Sequence, residues 1–289
     1  MKRPIIAIAG PTASGKTDLG KLIAREYNGV VVSVDSRQVY TGLDIGTGKD
    51  KSFHQEMIDI INPGEIFSVS EYTKRALPII DNIYQHNKLP ILVGGSGYYL
   101  DALLFIKDFP KINNPKIIKD LEKLSTQELS NKLAKLDPRS VIRCANNRRR
   151  LIRAAEIVLT TGEPVPTQSK QPRFNHLLVI LDPGKAKLDK LIEKRIKARI
   201  KAGMIEEVER LLNKVDAAWL LNLGLEYKYI TLYLTGKLSQ KEMEIQLLTA
   251  TKQYSRRQRT WYRSYTDGIW VDNPGKALQI VKKFRMVYN

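Results

Sequence analysis

Close to its start, the chain of 289 residues carries a glycine-rich stretch whose spacing could hold phosphate groups. Residues 10–17 (GPTASGKT) fit the pattern of Gly, four residues, Gly-Lys, then Thr or Ser. In such a loop, backbone N–H groups converge on an anion at the N-terminus of a helix. Lys16 would add a positive charge at the terminal phosphate, and the hydroxyl of Thr17 would hold Mg²⁺. The residues predicted to bind a diphosphate or triphosphate are Thr12, Ala13, Ser14, Gly15, Lys16 and Thr17.

Polar residues also follow two apolar segments that we predict to be strands. Asp35-Ser36-Arg37-Gln38 comes directly after Val30–Val34, and Ser96 follows the strand-like segment Pro90–Val93. Open α/β sheets bind their ligands at the carboxyl ends of the strands. A carboxylate there could act as a general base, and a hydroxyl could donate to a developing negative charge. The alternative for Asp35 is a structural one, in which it caps a helix after the strand.

The elements that would position these side chains alternate between strand and helix. Pro4–Ala9 predicts a buried strand before the phosphate loop, and helical spacing follows from Thr17. This order is typical of a parallel, doubly wound sheet, here an α/β fold with a P-loop. Residues 113–173 show only helical patterns and predict an all-helical insertion. We therefore assign 1–112 and 174–289 to the core, which includes a returning strand at 176–181 and one long basic helix over 188–212.

The distribution of charge predicts a polyanionic partner. The chain has 48 Lys and Arg against 30 Asp and Glu, a net charge of +18. Residues 1–112 are nearly neutral at +1, whereas 113–173 carry +7 and 174–289 carry +10. Such asymmetry is the electrostatic footprint of a nucleic-acid-binding protein. The alternative is a lysine-rich helix surface that contacts only solvent.

The remaining composition predicts a cytoplasmic protein. Cys144 is the single cysteine, which excludes an intramolecular disulfide and a multi-cysteine zinc site, and the chain has three histidines. No stretch approaches the roughly 20 apolar residues that span a bilayer. The first strand is expected from residue 4, which leaves no room for a signal peptide.

Several blocks of sequence, in order along nearly the whole chain, resemble the tRNA dimethylallyltransferase family. That family transfers a dimethylallyl group from its diphosphate to the exocyclic amine of the adenosine just 3′ of the anticodon. The phosphate loop is generic, whereas the blocks at 33–40, 224–228 and 256–263 are specific. The matching blocks are GPTASGKT (10–17), SVDSRQVYTGLDIGTGK (33–49), LVGGSGYY (92–99), RRLIRAAEI (149–157), GMIEEVERLL (203–212), GLEYK (224–228) and RRQRTWYR (256–263).

The resemblance implies roles where the motifs match. Asp35 stands where the family has the aspartate that deprotonates or orients the adenine amine. Ser96 replaces the usual threonine beside the diphosphate oxygen that is cleaved, and it keeps the hydroxyl. The implied substrates are dimethylallyl diphosphate and the anticodon stem-loop of tRNA, with Mg²⁺ as cofactor; our default expectation is a monomer. The residues implied to contact tRNA are Asp35, Ser36, Arg37, Gln38, Arg149, Arg150, Arg153 and Gln258.

Two positions depart from the family pattern. The usual His-His-Leu-Ile-Asp is here Gln55-Glu56-Met57-Ile58-Asp59, so a role for those histidines does not carry over. The usual Thr-Arg-Gln is here Thr251-Lys252-Gln253, which keeps the charge but loses the planar guanidinium.

Three other functions are compatible with parts of the sequence. A small-molecule or nucleotide kinase would explain the phosphate loop, but not the +17 carried by residues 113–289. A prenyltransferase acting on free adenine nucleotides would share the chemistry of the first 112 residues without needing the basic insertion. A non-catalytic RNA-binding protein would not need the phosphate loop together with Asp35 and Ser96.

Overall fold

The larger part of the protein is built on one parallel six-stranded sheet. We describe it from a computed structural model, which describes residues 2–107, 110, 112–167 and 171–287. The strand order is β3-β2-β4-β1-β5-β6, and every neighbouring pair is parallel. The predicted α/β fold with a parallel sheet is therefore confirmed. The strands are β1 (Pro4–Ala9), β2 (Gly29–Ser33), β3 (Gln55–Glu56), β4 (Leu89–Gly94), β5 (Asn175–Leu181) and β6 (Ile269–Val271).

Helices connect the strands and also form a separate group in the middle of the chain. The helices are α1 (Lys16–Glu26), α2 (Val69–Gln85), α3 (Gly97–Leu104), α4 (Pro115–Glu122), α5 (Thr126–Leu136), α6 (Pro138–Cys144), α7 (Arg148–Thr161), α8 (Lys185–Lys201), α9 (Met204–Leu212), α10 (Ala217–Leu223), α11 (Leu225–Leu234), α12 (Gln240–Tyr262) and α13 (Pro274–Val287).

The central strand β1 shows why the sheet needs helices on both faces. Its side chains alternate between two hydrophobic cores: Ile5 and Ala7 belong to one, and Ile6 and Ile8 to the other. All four are at most 1% exposed. A strand that is buried on both faces has a continuous apolar sequence, as in parallel sheets covered by helices. The run PIIAIA therefore encodes both the strand and its central position.

One predicted helix differs from the structure, and two short strands were missed. The long basic helix predicted over 188–212 is two helices, α8 and α9, because Gly203 between them has φ of +96°, in the left-handed region that ends a helix. The short strands β3 and β6 were not predicted. β3 has two residues and β6 has three, which is too few for an alternating pattern to be recognised.

The chain divides into two compact units. The larger consists of Met1–Phe105 and Pro172–Asn289, and the smaller of Ile106–Gln171, where we predicted an insertion over 113–173. The described part of the smaller unit contains the four helices α4 to α7 and no strand. Its helices pack on a core of their own, which includes the buried thiol of Cys144. Burial raises the pKa of that thiol.

Within the described ranges, no helix combines the length and the apolar character needed to cross a lipid bilayer.

Candidate active site at the carboxyl edge of the sheet

The phosphate loop joins β1 to α1 in a conformation that exposes its backbone. Ala13 has φ of +65° and Gly15 has φ of +89°, and α1 begins at the next residue, Lys16. Gly10 passes so close to β5 that a Cβ there would lie 2.4 Å from the carbonyl oxygen of Leu181. This close approach explains why the loop starts with glycine. The result is a helix N-terminus whose N–H groups can receive an anion.

A cavity of about 460 Å³ adjoins this loop. Of the six predicted phosphate-binding residues, four line it: Ala13, Gly15, Lys16 and Thr17. Thr12 and Ser14 do not line it, and their role as phosphate ligands stays a prediction. The N–H of Thr12 donates to Gln258, and the N–H of Ser14 donates to the carbonyl of Pro11 at 3.3 Å. The other residues that line the cavity are Asp18, Gly48, Leu191, Lys194, Ala198, Arg195 and Arg199.

Helix α8 brings three cations to the cavity that were not predicted individually. Lys194, Arg195 and Arg199 line it opposite the phosphate loop. The Nη2 atom of Arg195 donates to the Thr12 hydroxyl, while its Nε is buried without a hydrogen-bond partner. The two arginines are four residues apart, so they lie on one helix face. This spacing was the signal in the sequence that could have indicated the two arginines as a pair, within a helix that we predicted only to be basic.

The crowding of cations changes their acidity. Burial, followed by the charge of Arg195, lowers the pKa of Lys16 to about 8, although the Asp35 carboxylate opposes this shift. Burial and the charge of Arg199 lower the pKa of Arg195 to about 10. Each cation therefore disfavours the charged form of its neighbours. An anion with several charges would relieve that repulsion, so the cavity suits a diphosphate.

Asp35 and Ser96 are brought together because β2 and β4 are neighbouring strands. The N–H of Val34 donates to the carbonyl of Val93 at 2.8 Å, which aligns the ends of the two strands. One residue beyond Asp35, the N–H of Ser36 donates to the Ser96 hydroxyl at 3.3 Å. The Asp35 carboxylate accepts the N–H of Arg37 at 2.8 Å through Oδ1. The predicted pair therefore lies at one edge of the sheet.

The neighbours of Asp35 in sequence are half-buried and hydrogen-bonded within the protein. Arg37 donates through Nε to the carbonyl of Leu223 and through Nη1 to the hydroxyl of Ser36. Gln38 accepts the Ser33 hydroxyl at 2.7 Å, and its Nε2 donates to the carbonyls of Thr47 and Gly48 at 3.4 and 3.5 Å. These contacts fix the segment after β2.

Tyrosines form the surroundings of the Asp35 carboxylate. Burial, with a smaller contribution from the negative charge of Asp35, raises the pKa of both Tyr99 and Tyr254 to about 12. Tyr72, whose ring centroid lies 4.7 Å from that of Tyr99, is fully buried and donates to the carbonyl of Ser33 at 2.7 Å. These hydroxyls therefore remain protonated and neutral at physiological pH. The tyrosines near Asp35 are thus uncharged, whereas Lys16 and Arg195 place positive charge near the same carboxylate.

Gln258 joins two loops of the site. The family resemblance implies a tRNA contact for this residue, which stays a prediction, and its side chain is 6% exposed. Its Oε1 accepts the N–H of Thr12 at 2.8 Å, and its Nε2 donates to the carbonyl of Gly95 at 2.8 Å. Gly95 leaves room for this contact, because a Cβ there would lie 2.6 Å from Nε2. Gln258 thus ties the phosphate loop to the loop that carries Ser96.

We expect Gln258→Ala to lower the free energy of unfolding by about 1–3 kcal/mol for each of the two backbone groups that it leaves unpaired. Chemical denaturation measures this value. Gln253→Ala is the matched control, because Gln253 is exposed on the same helix α12. Equal stability of the two variants would show that the bridge contributes nothing.

In the smaller unit, the predicted tRNA-contacting residues of α7 differ in their environments. Arg149 and Arg150 are exposed at the start of the helix. Arg153 instead donates to the carbonyls of Pro110 and Ile112 and to Glu156 at 2.6 Å. Glu156 is 2% exposed, so Arg153 neutralises a buried carboxylate. Arg153 thus has a structural role, and its side chain is still 43% exposed, so its contact with tRNA stays a prediction.

The residues present fit Mg²⁺ only if phosphate oxygens and water complete its coordination. Thr17 offers one hydroxyl on the cavity wall. Among the residues that the structure describes, no cluster of three or more His, Cys, Asp and Glu could hold a metal ion. Mg²⁺ commonly keeps several waters and binds through substrate phosphates rather than in an all-protein cage. Thr17 is therefore the residue that would hold a phosphate-bound Mg²⁺.

The segment that departs from the family pattern has a structural role here. Gln55 and Glu56 form the edge strand β3, and the amide of Gln55 donates to the carbonyl of Asp50 at 2.6 Å. Asp59, which the pattern retains, accepts from Lys49 at 2.5 Å. Lys49 has a fully buried side chain.

Comparison with known proteins identifies the family. The sequence profile described as IPP transferase matches residues 38–265. The chain belongs to the IPP transferase family. It is 36% identical to a tRNA dimethylallyltransferase of Pelotomaculum thermopropionicum, over 93% of this chain and 91% of the relative.

Solved structures of this family have the same fold. A tRNA isopentenylpyrophosphate transferase from Staphylococcus epidermidis is 30% identical, with a TM-score of 0.72 and full coverage of both chains. A eukaryotic dimethylallyltransferase described as acting on tRNA is 26% identical, with a TM-score of 0.76. That match covers 90% of this chain and 69% of the eukaryotic one.

Proposed function

We propose that this protein transfers a dimethylallyl group from dimethylallyl diphosphate to the exocyclic amine of a tRNA adenosine, the one 3′-adjacent to the anticodon. The observation that carries the proposal is the meeting of Asp35 and Ser96 at the same sheet edge that holds the cationic phosphate cavity. Family membership supports it, since relatives are named tRNA dimethylallyltransferase. We further propose that the enzyme works in the cytoplasm as a monomer.

In this reaction, Asp35 acts as the general base. The adenine amine is a weak nucleophile because its lone pair is delocalised into the ring. As the N–C bond forms, Asp35 accepts one amine proton, and the C–O bond to diphosphate breaks. The neutral tyrosines Tyr72, Tyr99 and Tyr254 lie near this base, and Lys16 and Arg195 place positive charge close to it. A stacked base cannot reach such a site, so the target nucleotide must leave the stack.

The phosphate cavity binds the leaving group. Lys16, Arg195 and the backbone N–H groups of Ala13, Gly15, Lys16 and Thr17 are donors for the charge that develops on the diphosphate. Thr17 would hold Mg²⁺, which when bound supplies further neutralisation of that charge. In a kinase, by contrast, the loop holds the phosphoryl group that is transferred. The strand β4 ends in Val93-Gly94, without a carboxylate that could serve a kinase.

A transfer assay tests the proposal. The protein is incubated with labelled dimethylallyl diphosphate, Mg²⁺ and either unmodified tRNA or AMP. We expect label in the tRNA and none in AMP. Label in AMP alone would contradict the proposal and favour a prenyltransferase of free nucleotides.

The hydroxyl of Ser96 gives a second test of the leaving-group chemistry. We expect Ser96→Ala to lower the single-turnover rate by several-fold to about a thousandfold, and Ser96→Thr to be nearly silent. Rapid-quench kinetics with saturating substrates measures both. An active alanine variant beside an inactive threonine variant would mean that the position acts by its size, and the hydroxyl would have no role.

The exposed arginines of the smaller unit give a test of tRNA binding. Bound Lys and Arg release counterions from the nucleic acid, so log affinity falls by about 0.7–0.9 per phosphate contact for each unit of log salt. We expect Arg149→Ala and Arg150→Ala each to weaken tRNA binding. Each should also reduce the slope of log affinity against log salt by about the amount that one phosphate contact contributes. Filter binding over a salt series measures the slope.

Lys88→Ala is the matched control for the salt series. Lys88 is exposed and lies in the nearly neutral segment 1–112, so its loss should leave the slope unchanged. An equal flattening in the control would show that any positive charge has the same effect, and that α7 is not a specific contact.

A further inference from the structure

A buried carboxylate holds the glycine-rich loop that adjoins the phosphate cavity. Glu207, on α9, is 3% exposed. Its Oε2 accepts the N–H groups of Asp44 and Ile45 at 2.9 and 2.7 Å, and its Oε1 accepts the N–H of Gly46 at 3.0 Å. Charge-assisted bonds from three successive N–H groups fix the backbone of the loop. None of the roles proposed above uses this residue.

Tyr227 holds the same carboxylate from the other side. Its hydroxyl donates to Oε1 of Glu207 at 2.9 Å, and the residue is 1% exposed. Burial and the neighbouring carboxylate raise the pKa of Tyr227 well above its ordinary value, so the hydroxyl keeps its proton and remains a donor. Gly46 packs tightly against Tyr227 and Glu207, because a Cβ at this position would lie 2.6 Å from the tyrosine hydroxyl oxygen.

The far side of the loop contacts Arg199. The Nη1 of Arg199 donates to the carbonyl of Gly46 at 2.9 Å. Gly48 lies against the same guanidinium, since a Cβ there would be 1.7 Å from Nη2. Glu226 lies 3.6 Å from Nη1 and helps to hold the charge in place. The orientation of Arg199, whose side chain is 14% exposed, therefore depends on where residues 46–48 lie.

We propose that Glu207 is a positioning residue of the leaving-group site: it fixes residues 44–48 so that Arg199 faces the diphosphate. This inference rests on the proposed function, because it takes the cavity to be the diphosphate site. A charge that is already oriented stabilises an anion more than one that must reorganise on binding. The hydrogen bonds between Glu207 on α9 and the loop thus determine the orientation of Arg199 on α8.

Calorimetry of inorganic diphosphate with Mg²⁺ on the full chain tests this inference. We expect Glu207→Gln and Arg199→Ala each to weaken binding by roughly tenfold, since a glutamine amide cannot accept from all four donors. The double variant should bind no more weakly than Arg199→Ala, because Glu207 acts through Arg199. Glu209→Gln, an exposed carboxylate on the same helix, is the matched control and should bind as wild type does.

The outcomes separate this inference from the function on which it rests. Additive losses in the double variant, or unchanged binding in Glu207→Gln, would overturn the positioning role alone. A wild-type protein that does not bind diphosphate would overturn the proposed function as well. If Glu207→Gln fails to fold, Tyr227→Phe removes a single bond to the same carboxylate. We expect a loss of roughly threefold there, and wild-type affinity in a folded Tyr227→Phe would overturn the inference.

Discussion

Replacing Asp35 by asparagine should lower the rate of prenyl transfer by about two orders of magnitude or more, because an amide cannot take up the amine proton. In this structure, the substitution separates the basicity of Asp35 from its structural role. The Asp35 carboxylate also accepts the N–H of Arg37 at 2.8 Å, and the amide oxygen of asparagine can keep that bond. The structural role of the residue is thus preserved while its basicity is lost. Single-turnover kinetics with saturating tRNA measures the effect.

Two further measurements serve as controls for Asp35→Asn. The affinity for tRNA should change little, since it depends mainly on contacts to phosphates. The thermal unfolding temperature should also stay close to that of the wild type. A near-normal single-turnover rate in the variant would remove Asp35 from the chemistry and leave it only the structural role of holding the turn after β2.

Lys16→Ala should weaken the binding of dimethylallyl diphosphate by roughly a hundredfold, because it removes a half-buried charge from the cavity. The affinity for tRNA and its salt dependence should remain as in the wild type, since residues 1–112 carry a net charge of only +1. Arg25→Ala is the matched control, because Arg25 is an exposed cation on the same helix α1. Calorimetry and the salt series together measure both effects. Loss of tRNA affinity in Lys16→Ala, with unchanged diphosphate binding, would contradict this division.

The lowered pKa of Lys16 adds a dependence on pH. The lysine of the free protein is charged below about pH 8 and neutral above it. Its contribution to diphosphate affinity should therefore be full below pH 8 and should weaken as the pH rises through that value. The ratio of wild-type to Lys16→Ala affinity measures this contribution, because the titration of the ligand itself cancels. A ratio that stays constant from pH 7 to 9 would contradict the lowered pKa.

Local patterns were sufficient to predict the phosphate loop and its flanking elements. GPTASGKT encodes its own conformation through glycines and through the helix that starts at Lys16, and the PIIAIA strand is recognisable from its continuous apolar run. Asp35 and Ser96 could be predicted to lie near one another because both follow strands of a parallel sheet. Such inferences depend on the period of the sequence and on the rules of sheet topology.

Contacts between distant parts of the chain were beyond the reach of this reasoning. Gln258 and Thr12 are 246 positions apart, and nothing in the local sequence of either indicates that the other is its partner. The same holds for Glu207 and the loop at 44–46. Arg195 and Arg199 were visible only as part of a basic helix, because the sequence does not tell which helix face meets the cavity. The contacts of Arg153 with the buried Glu156 and with two backbone carbonyls could not be predicted either, because the sequence of α7 alone does not indicate them.

The central claim is that the acceptor is the exocyclic amine of one adenosine in tRNA. The most direct measurement compares two anticodon stem-loops that differ only at the nucleotide 3′-adjacent to the anticodon. One carries adenosine at this position, and the other carries the same purine nucleoside without the exocyclic amine. With labelled dimethylallyl diphosphate, we predict transfer to the first and none to the second. Equal labelling of the two stem-loops would contradict the proposed function. So would a protein that labels free AMP but neither stem-loop.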